Sequence, residues 1–248
     1  MKIISVYNMK GGVGKTTLCV NLAYIASTKG LKTLLLDLDP QGASSYYFRI
    51  RASRKFNSKG LLKGGKKLDK AIKASDYENL DLIPASMTFR NLDLKLDSSG
   101  EGNKQLKKIL KMFKNEYDLV FIDSPPNISL VSENIITASD QIIIPVIPTP
   151  LSLEAYRKMK VFLEKKINKS KIVSVFSMVD GRKKLHRDIM AEVREEEKSF
   201  LRSFIPFKTE FEKMGLRREP LPAYSKSSAI TKKLLEIYNE VMKLDVTD

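Results

Sequence analysis

Short apolar runs alternate along this chain with segments in which apolar side chains recur every three or four positions. The clearest apolar runs are residues 3–7, 32–37, 119–123 and 140–146. Continuous runs of this length are typical of strands covered on both faces, whereas the wider spacing is typical of amphipathic helices. The alternation predicts an α/β fold, a mainly parallel, twisted sheet flanked by helices on both faces.

The remaining segments follow the same two patterns. Gly30 should close the first helix, because glycine is favoured just past a helix C-terminus. Gly60, Gly64 and Gly65 predict a loop, followed by a short helix near residues 68–74. The other predicted elements are strands at residues 79–84 and from residue 172, and helices at residues 15–28, 103–114, 132–138, 149–166 and 227–244.

Length and composition narrow the class of protein. The 248 residues suit one large domain, 1–248, with a sizeable core, and the apolar content of 42% is ordinary. The single cysteine, Cys19, excludes a disulfide framework, and we expect it in the core. The N-terminus has no signal-peptide pattern, and no apolar run approaches the roughly 20 residues that span a bilayer. We therefore expect a cytoplasmic protein.

The charge is strongly positive, with 44 Lys and Arg against 29 Asp and Glu and a formal net charge of +15. A lysine-rich proteome could produce this excess, and so could a polyanionic partner such as nucleic acid or an anionic membrane surface. Ten cations lie between Arg49 and Lys73, opposed mainly by Asp69. This block is either a solvated, partly mobile face or a DNA-contacting patch, and its charge alone does not distinguish them.

A glycine-rich stretch, residues 9–17, follows the first strand and precedes the first helix. Glycines allow backbone N–H groups to turn inward around a phosphate, and a helix N-terminus favours negative charge. Lys15 would lie along the β- and γ-phosphates of ATP, and the Thr16 hydroxyl would bind Mg²⁺. The predicted phosphate-binding residues are Lys10, Gly11, Gly12, Val13, Gly14, Lys15, Thr16 and Thr17.

The stretch departs from the usual phosphate-binding loop at two positions. Met9 replaces the first glycine of the Gly-x-x-x-x-Gly-Lys-Ser/Thr pattern, and a second lysine, Lys10, precedes the glycine pair. Two lysines bring more positive charge than a single triphosphate cradle needs. The spacing suggests that Lys10 serves a phosphate elsewhere.

Carboxylates follow two of the predicted strands. Asp37 and Asp39 end the second strand in the segment Asp-Leu-Asp-Pro-Gln-Gly, and Asp123 ends a later apolar run before Pro125 and Pro126. The carboxyl ends of parallel strands border the crevice in which such sheets bind ligands. Asp123 has the Walker B arrangement and would hold Mg²⁺ through a water, and the prolines would stiffen the loop that follows it.

Together these motifs resemble the deviant Walker A ATPases of the ParA/MinD group, and residues 140–156 extend the resemblance. It implies that Lys10 reaches across a nucleotide-sandwiched homodimer to the partner's ATP. Asp37 would belong to the magnesium-water network, and Asp39 would orient the water that attacks the γ-phosphate. The implied catalytic residues are Lys10, Lys15 and Asp39, and the implied metal site consists of Thr16, Asp37 and Asp123.

The resemblance also assigns contacts to the base and to DNA. Met178 and Pro206 would lie against the adenine. A basic residue four positions after the proline binds DNA in relatives, and this chain has Glu210 there, with Lys208 and Lys213 nearby. His186, the only histidine, is expected to be surface-exposed without a metal-ligand set. The implied DNA-binding residues are Arg182, Lys183, Lys184, Arg187, Arg217 and Arg218.

The function implied by the resemblance is a slow ATPase that a ParB-like protein stimulates. It would bind non-specific double-stranded DNA as an ATP-bound homodimer, remain associated with the nucleoid, and drive plasmid or chromosome partition. A MinD-like, membrane-associated regulator of division-site placement is the alternative, and the acidic ending at residues 245–248 argues against it. A nucleotide switch without turnover and a cargo-positioning ATPase also remain open.

Overall fold

The computed structural model describes residues 1–98, 100, 102–167 and 171–244. Within this part of the chain, eight strands form one sheet. Only the two-residue strand at one edge, Lys73–Ala74, is antiparallel to its neighbour. The strands are β1 (Lys2–Val6), β2 (Thr33–Asp37), β3 (Lys73–Ala74), β4 (Leu80–Ile83), β5 (Leu119–Asp123), β6 (Gln141–Val146), β7 (Lys171–Val179) and β8 (Phe200–Pro206). Their spatial order is β3-β4-β2-β5-β1-β6-β7-β8.

Helices connect the strands and cover both faces of the sheet, as the sequence predicts. Short 3₁₀ turns at Met87–Asn91, Gly102–Lys104 and Lys111–Phe113 supplement them. The helices are α1 (Lys15–Thr28), α2 (Ala43–Tyr47), α3 (Ser58–Lys63), α4 (Lys66–Asp69), α5 (Leu92–Asp97), α6 (Gln105–Leu110), α7 (Leu130–Ala138), α8 (Pro150–Glu164), α9 (Lys184–Glu196), α10 (Glu210–Arg217), α11 (Leu221–Tyr224) and α12 (Ala229–Lys243).

Alternate residues of the central strands enter two separate cores. Leu35 and Phe121 pack on one face of the sheet in the cluster that contains α1 and α12. Leu34 and Val120 pack on the other face, in the cluster that contains residues of α3 to α7. This alternation follows from the two-residue period of a strand and confirms the sheet covered on both sides. Cys19 is buried in the first of these clusters, as expected.

The order of the central strands brings the predicted carboxylates to one edge. β5 lies between β2 and β1, and its register pairs Asp123 with Asp37 on one side and with Val6 on the other. All three strands run in the same direction, so the segments that follow them emerge together. The glycine loop after β1 and the Asp39 loop after β2 therefore flank Asp123.

Three local predictions between residues 60 and 114 differ from the structure. Gly60 lies inside α3, because the Asn57 side chain caps that helix by accepting a hydrogen bond from the Gly60 amide at 2.9 Å. The short helix expected at residues 68–74 is α4, which ends at Asp69 and is followed by β3. The long helix expected at residues 103–114 is α6 flanked by 3₁₀ turns.

The acidic ending at residues 245–248, on which the argument against a membrane-targeting tail rests, lies outside the described residues. Among the helices that are described, none has the length and apolar character needed to cross a bilayer.

Candidate functional site

The glycine loop is held by its own glycines and by Asn8. Gly12 and Gly14 have φ angles of +70° and +89°, in the left-handed region that favours glycine. A Cβ at Gly14 would also lie 3.0 Å from the Ser177 hydroxyl. The Asn8 side chain accepts from the Lys10 amide at 2.9 Å and donates to the Pro145 carbonyl at 2.8 Å. The loop is therefore fixed between β1 and β6, directly before α1.

The two lysines of the loop have different surroundings. Lys15 is 7% exposed, and its ammonium donates to the Lys10 carbonyl at 2.7 Å. Burial lowers the pKa of Lys15, and the charges of Asp123 and Asp39 partly offset that effect. The Lys10 ammonium instead makes an exposed contact of 3.4 Å with the carbonyl of Leu151, at the start of α8. Lys15 therefore points into the site, whereas Lys10 lies on the surface.

Helix α2 positions both buried carboxylates through two consecutive serines. The Ser44 hydroxyl donates to Oδ2 of Asp123 at 2.8 Å. The amide and hydroxyl of Ser45 both donate to Oδ2 of Asp37, at 2.8 and 2.6 Å. The Thr16 side chain also favours the charged form of Asp123 and lowers its pKa. The sequence analysis did not identify these serines as site residues.

The buried carboxylates suit a cation. Burial raises the pKa of Asp37, and the neighbouring charge of Asp123 raises it further. Burial likewise raises the pKa of Asp123, against the effects of the Ser44 and Thr16 side chains. In the described part of the chain, Oδ1 of each carboxylate is buried without a hydrogen-bond partner. Unpartnered carboxylate oxygens beside a hydroxyl are suitable ligands for Mg²⁺ or for its water shell.

Asp39 lies at the mouth of the site in a tight turn. Its carboxylate accepts a hydrogen bond from the Gln41 amide at 2.9 Å, and its carbonyl accepts one from the Gly42 amide at 2.9 Å. Asp39 is only partly buried, unlike Asp37. The turn leads directly into α2, so the carboxylate at the mouth and the two serines below it belong to one continuous segment.

Met178 and Pro206 line a small apolar pocket beside the glycine loop. The pocket has a volume of about 100 Å³ and also contacts Gly14 and Thr17. Met178 adopts a left-handed conformation, with φ of 55°, where the register between β7 and β8 shifts. The sequence analysis missed two aromatic side chains that line the same pocket, because single aromatic residues after a strand carry no periodic signal. They are Phe207 and Phe211.

Four of the residues predicted to bind DNA lie around one turn between β7 and α9. Arg182 forms two contacts of 3.0 Å with the carboxylate of Asp180, although its side chain is 90% exposed. Arg187 donates to the Gly181 carbonyl at 2.6 Å. Lys183 and Lys184 are exposed at the start of α9. These cations therefore share one site, in which both arginines already have partners within the chain.

Arg217 and Arg218, the other predicted DNA contacts, pack against tyrosine rings. The Arg217 guanidinium lies 4.8 Å from the centre of the Tyr224 ring. Arg218 lies 4.6 Å from the centre of the Tyr46 ring and donates to the Tyr46 carbonyl at 3.1 Å. Arg218 therefore connects the end of α10 to α2.

The prediction that His186 is surface-exposed is wrong. Its side chain is 4% exposed, and Nδ1 accepts a hydrogen bond from the Asp180 amide at 3.1 Å. The imidazole thus closes the turn that precedes α9, and burial lowers its pKa. A basic sequence around a histidine does not predict this contact, because it depends on how the turn folds back on the helix.

Comparisons with known proteins identify the family of the chain. The family model described as an AAA domain matches residues 1–176. The sporulation initiation inhibitor protein Soj of Bacillus subtilis is 33% identical over 199 residues, which cover 78% of this chain and 79% of Soj.

Two solved structures superimpose on nearly the whole chain. A plasmid partition protein of Borrelia burgdorferi, bound to AMPPNP, has a TM-score of 0.85 at 26% identity, with 98% of each chain covered. Cobyrinic acid a,c-diamide synthase of Mycobacterium smegmatis, with a bound ATP analogue and magnesium, has a TM-score of 0.81. At 21% identity, with 98% of this chain and 94% of the synthase covered, it shows the shared fold alone.

The glycine loop with its additional lysine, the Asp37 and Asp123 strand ends and the similarity to Soj are thus consistent with one another. The chain belongs to the ParA/Soj-type P-loop ATPases of the deviant Walker A family.

Proposed function

We propose that residues 1–248 act as one ATPase domain that closes into a homodimer on binding Mg-ATP, with Lys10 of each copy serving the other copy's ATP. The observation that carries this proposal is the contrast within the loop. Lys15 is buried and bonded to the Lys10 carbonyl, whereas the Lys10 ammonium lies at the surface beside Leu151. Leu151 is itself 72% exposed, and the Lys10 side chain beside it is partly exposed.

ATP hydrolysis would depend on positioning and on charge stabilisation. Asp39, in its tight turn at the mouth, would orient the attacking water. Thr16, Asp37 and Asp123 would hold Mg²⁺, which when bound supplies positive charge against the phosphate oxygens. Lys15 from the same chain and Lys10 from the partner copy would neutralise charge on the transferred phosphoryl group. Met178 and Pro206 would contact the adenine.

The ATP-bound dimer would bind double-stranded DNA without sequence preference and associate with the nucleoid. The exposed cations around the β7–α9 turn would contact phosphates, together with Arg217 and Arg218. Slow hydrolysis, stimulated by a ParB-like protein, would return the dimer to monomers and release the DNA. The names of relatives support a role in plasmid or chromosome partition, among them the chromosome-partitioning ATPase Soj of Treponema pallidum.

The experiment that tests this function measures retention of unrelated DNA duplexes with ATP, with ADP and without nucleotide. Retention should require ATP and should weaken steeply as the salt concentration rises, because phosphate contacts release counterions. Retention that is equal without nucleotide, or that salt does not affect, would contradict the proposal. Binding to anionic vesicles in ATP, with no binding to DNA, would favour the membrane-associated alternative.

A further inference from the structure

The basic block predicted at residues 49–73 is a packed part of the fold. Phe56, Leu61 and Leu68 are buried in the core on the α5–α7 side of the sheet. The Gln105 side chain donates to the Leu62 carbonyl at 2.7 Å, and the Ser58 amide donates to the Thr88 hydroxyl at 2.9 Å. These contacts fix the segment on the core and leave its charged side chains outside.

The exposed side of this segment is almost entirely cationic. Residues 51–70 carry eight exposed Lys and Arg side chains and one exposed carboxylate, Asp69. Within the described residues, none of the eight forms an ion pair or a side-chain hydrogen bond. We call these eight side chains the 51–70 surface: Arg51, Arg54, Lys55, Lys59, Lys63, Lys66, Lys67 and Lys70.

Arginines elsewhere on the surface are paired with carboxylates of the chain. Arg49, just before the 51–70 surface, contacts Asp76 at 2.6 Å and Glu219 at 3.4 Å. Arg182 is paired with Asp180. The 51–70 surface is different, because its like charges repel one another and have no carboxylate partner among the residues that the structure describes.

We propose that the 51–70 surface is a second contact site for the phosphate backbone of duplex DNA, an inference that rests on the proposed function. Eight unpartnered cations on a fixed scaffold match a polyanion with regularly spaced charges, and each phosphate contact releases counterions. The site is separate from the β7–α9 turn, since α3 and α4 pack on the core that contains β2 and β5 residues.

The surface fits DNA better than a bilayer. Membrane-binding segments place apolar side chains at the lipid boundary, whereas Phe56, Leu61 and Leu68 of this segment are buried and Leu62 is partly buried against the same core. Its cations are distributed over α3, α4 and the segment that precedes them. Contacts to phosphates carry no sequence information, so the proposed binding has no sequence preference.

One end of the 51–70 surface adjoins the nucleotide site. Arg51 and Arg54 line a groove of about 620 Å³ whose lining also includes Pro40 and Gln41, the residues that follow Asp39. A phosphate bound in this groove would touch the turn that carries Asp39. DNA contact at this end is therefore sensitive to the conformation of the Asp39 turn, and hence to the bound nucleotide.

The test compares two triple variants of the full chain with the same change in charge. One replaces Lys59, Lys63 and Lys66 with Gln. The control replaces Lys226, Lys232 and Lys243 with Gln. These three lysines are exposed at or near α12, on the opposite face of the sheet. Binding of a duplex is measured in ATP over a series of salt concentrations, and ATP binding by each variant confirms that it is folded.

We expect the Lys59, Lys63 and Lys66 variant to lower the slope of log K against log salt by about 3, and to lower affinity on the order of 100-fold at 0.1 M salt. The α12 control should change the slope by less than about 1. Equal slopes in both variants would overturn the 51–70 surface as a DNA contact and leave the proposed function intact. If the unaltered chain binds no duplex in ATP, the proposed function itself fails.

A vesicle-binding measurement distinguishes DNA from an anionic membrane as the partner of the 51–70 surface. The unaltered chain and the Lys59, Lys63 and Lys66 variant should bind equally to vesicles of phosphatidylserine and phosphatidylcholine. Loss of vesicle binding in that variant, with an unchanged DNA slope, would assign the surface to a membrane and overturn the proposal.

Discussion

The nucleotide site and the 51–70 surface hold their charges in opposite ways. Asp37 and Asp123 are completely buried, with one oxygen of each fixed by Ser45 or Ser44. The cations of the 51–70 surface are exposed and unpartnered within the described chain. The first region depends on the position of individual atoms, and the second on the number of charges that face the same partner.

This difference predicts how each region responds to substitution. Removal of one buried group leaves another buried charge uncompensated, so a single change should have a large effect. An exposed cation contributes one contact among several, and its removal should reduce the salt slope by about 1. The predictions below test this contrast, beginning with the largest expected effect.

Asp39→Ala should lower the rate of ATP hydrolysis on the order of 100- to 10,000-fold, because it removes the group proposed to orient the attacking water. ATP affinity should stay within a few-fold, since Lys15 and the glycine loop are unchanged. A steady-state ATPase assay and a nucleotide-binding titration measure the two quantities. Loss of ATP binding in parallel with turnover would instead assign Asp39 to binding.

Ser44→Ala should lower the affinity for Mg²⁺ in the presence of ATP roughly 10- to 100-fold, because the serine orients a proposed metal-binding carboxylate. Ser53→Ala is the matched control, since Ser53 is exposed and follows the same helix. A magnesium titration of nucleotide binding gives the measurement. Equal Mg²⁺ dependence in the two variants would show that the 2.8 Å contact with Asp123 does not position the metal site.

The buried carboxylates should make the metal-free chain less stable as the pH rises. Burial raises the pKa of Asp37 and Asp123 above that of the unfolded chain, so the folded state retains protons that the unfolded state loses. The stabilisation is complete below the unfolded pKa, near pH 4, and is lost as the pH rises through the raised folded values.

Asp37→Asn removes one of these titrations and provides the comparison. The quantity compared is the melting temperature of the variant minus that of the unaltered chain, both in EDTA. This difference should be roughly 3 to 6 °C larger at pH 8 than at pH 5. Thermal melts at both pH values measure this difference. A melting-temperature difference that is the same at both pH values would mean that Asp37 keeps its ordinary pKa in the folded chain.

Tyr46→Phe should have the smallest effect, because it removes one exposed hydrogen bond. The Tyr46 hydroxyl donates to the Gly215 carbonyl at 3.0 Å, and its ring lies against Arg218. The variant keeps the ring contact, so the loss should be at most about 1 kcal/mol of unfolding free energy. Denaturant unfolding measures it, and a loss of several kcal/mol would show that α2 depends on this contact as strongly as on its serines.

The sequence predicted the central strands and the edge where the site lies, because a buried parallel strand and a glycine loop are both local signals. It did not predict the contacts of α2. Ser44 and Ser45 follow the Asp39 turn closely, but the contact of Ser44 with Asp123 depends on strand order. The Tyr46–Arg218 contact joins residues 172 positions apart.

The errors have similarly specific causes. Gly60 was assigned to a loop on its backbone freedom, whereas the cap from Asn57 and the packing of Leu61 hold it in a helix. His186 was assigned to the surface because of its basic neighbours, whereas it accepts a hydrogen bond within its own turn. In each case a contact formed by folding outweighs the preference of the local sequence.

The most direct test of the central claim is the mass in solution of Asp39→Ala with ATP, compared with the same variant that also carries Lys10→Ala. We expect a dimer for Asp39→Ala in ATP, a monomer in ADP, and a monomer in ATP once Lys10 is also replaced, with ATP affinity nearly unchanged. A dimer that persists without Lys10, or no dimer in any nucleotide, would contradict that claim.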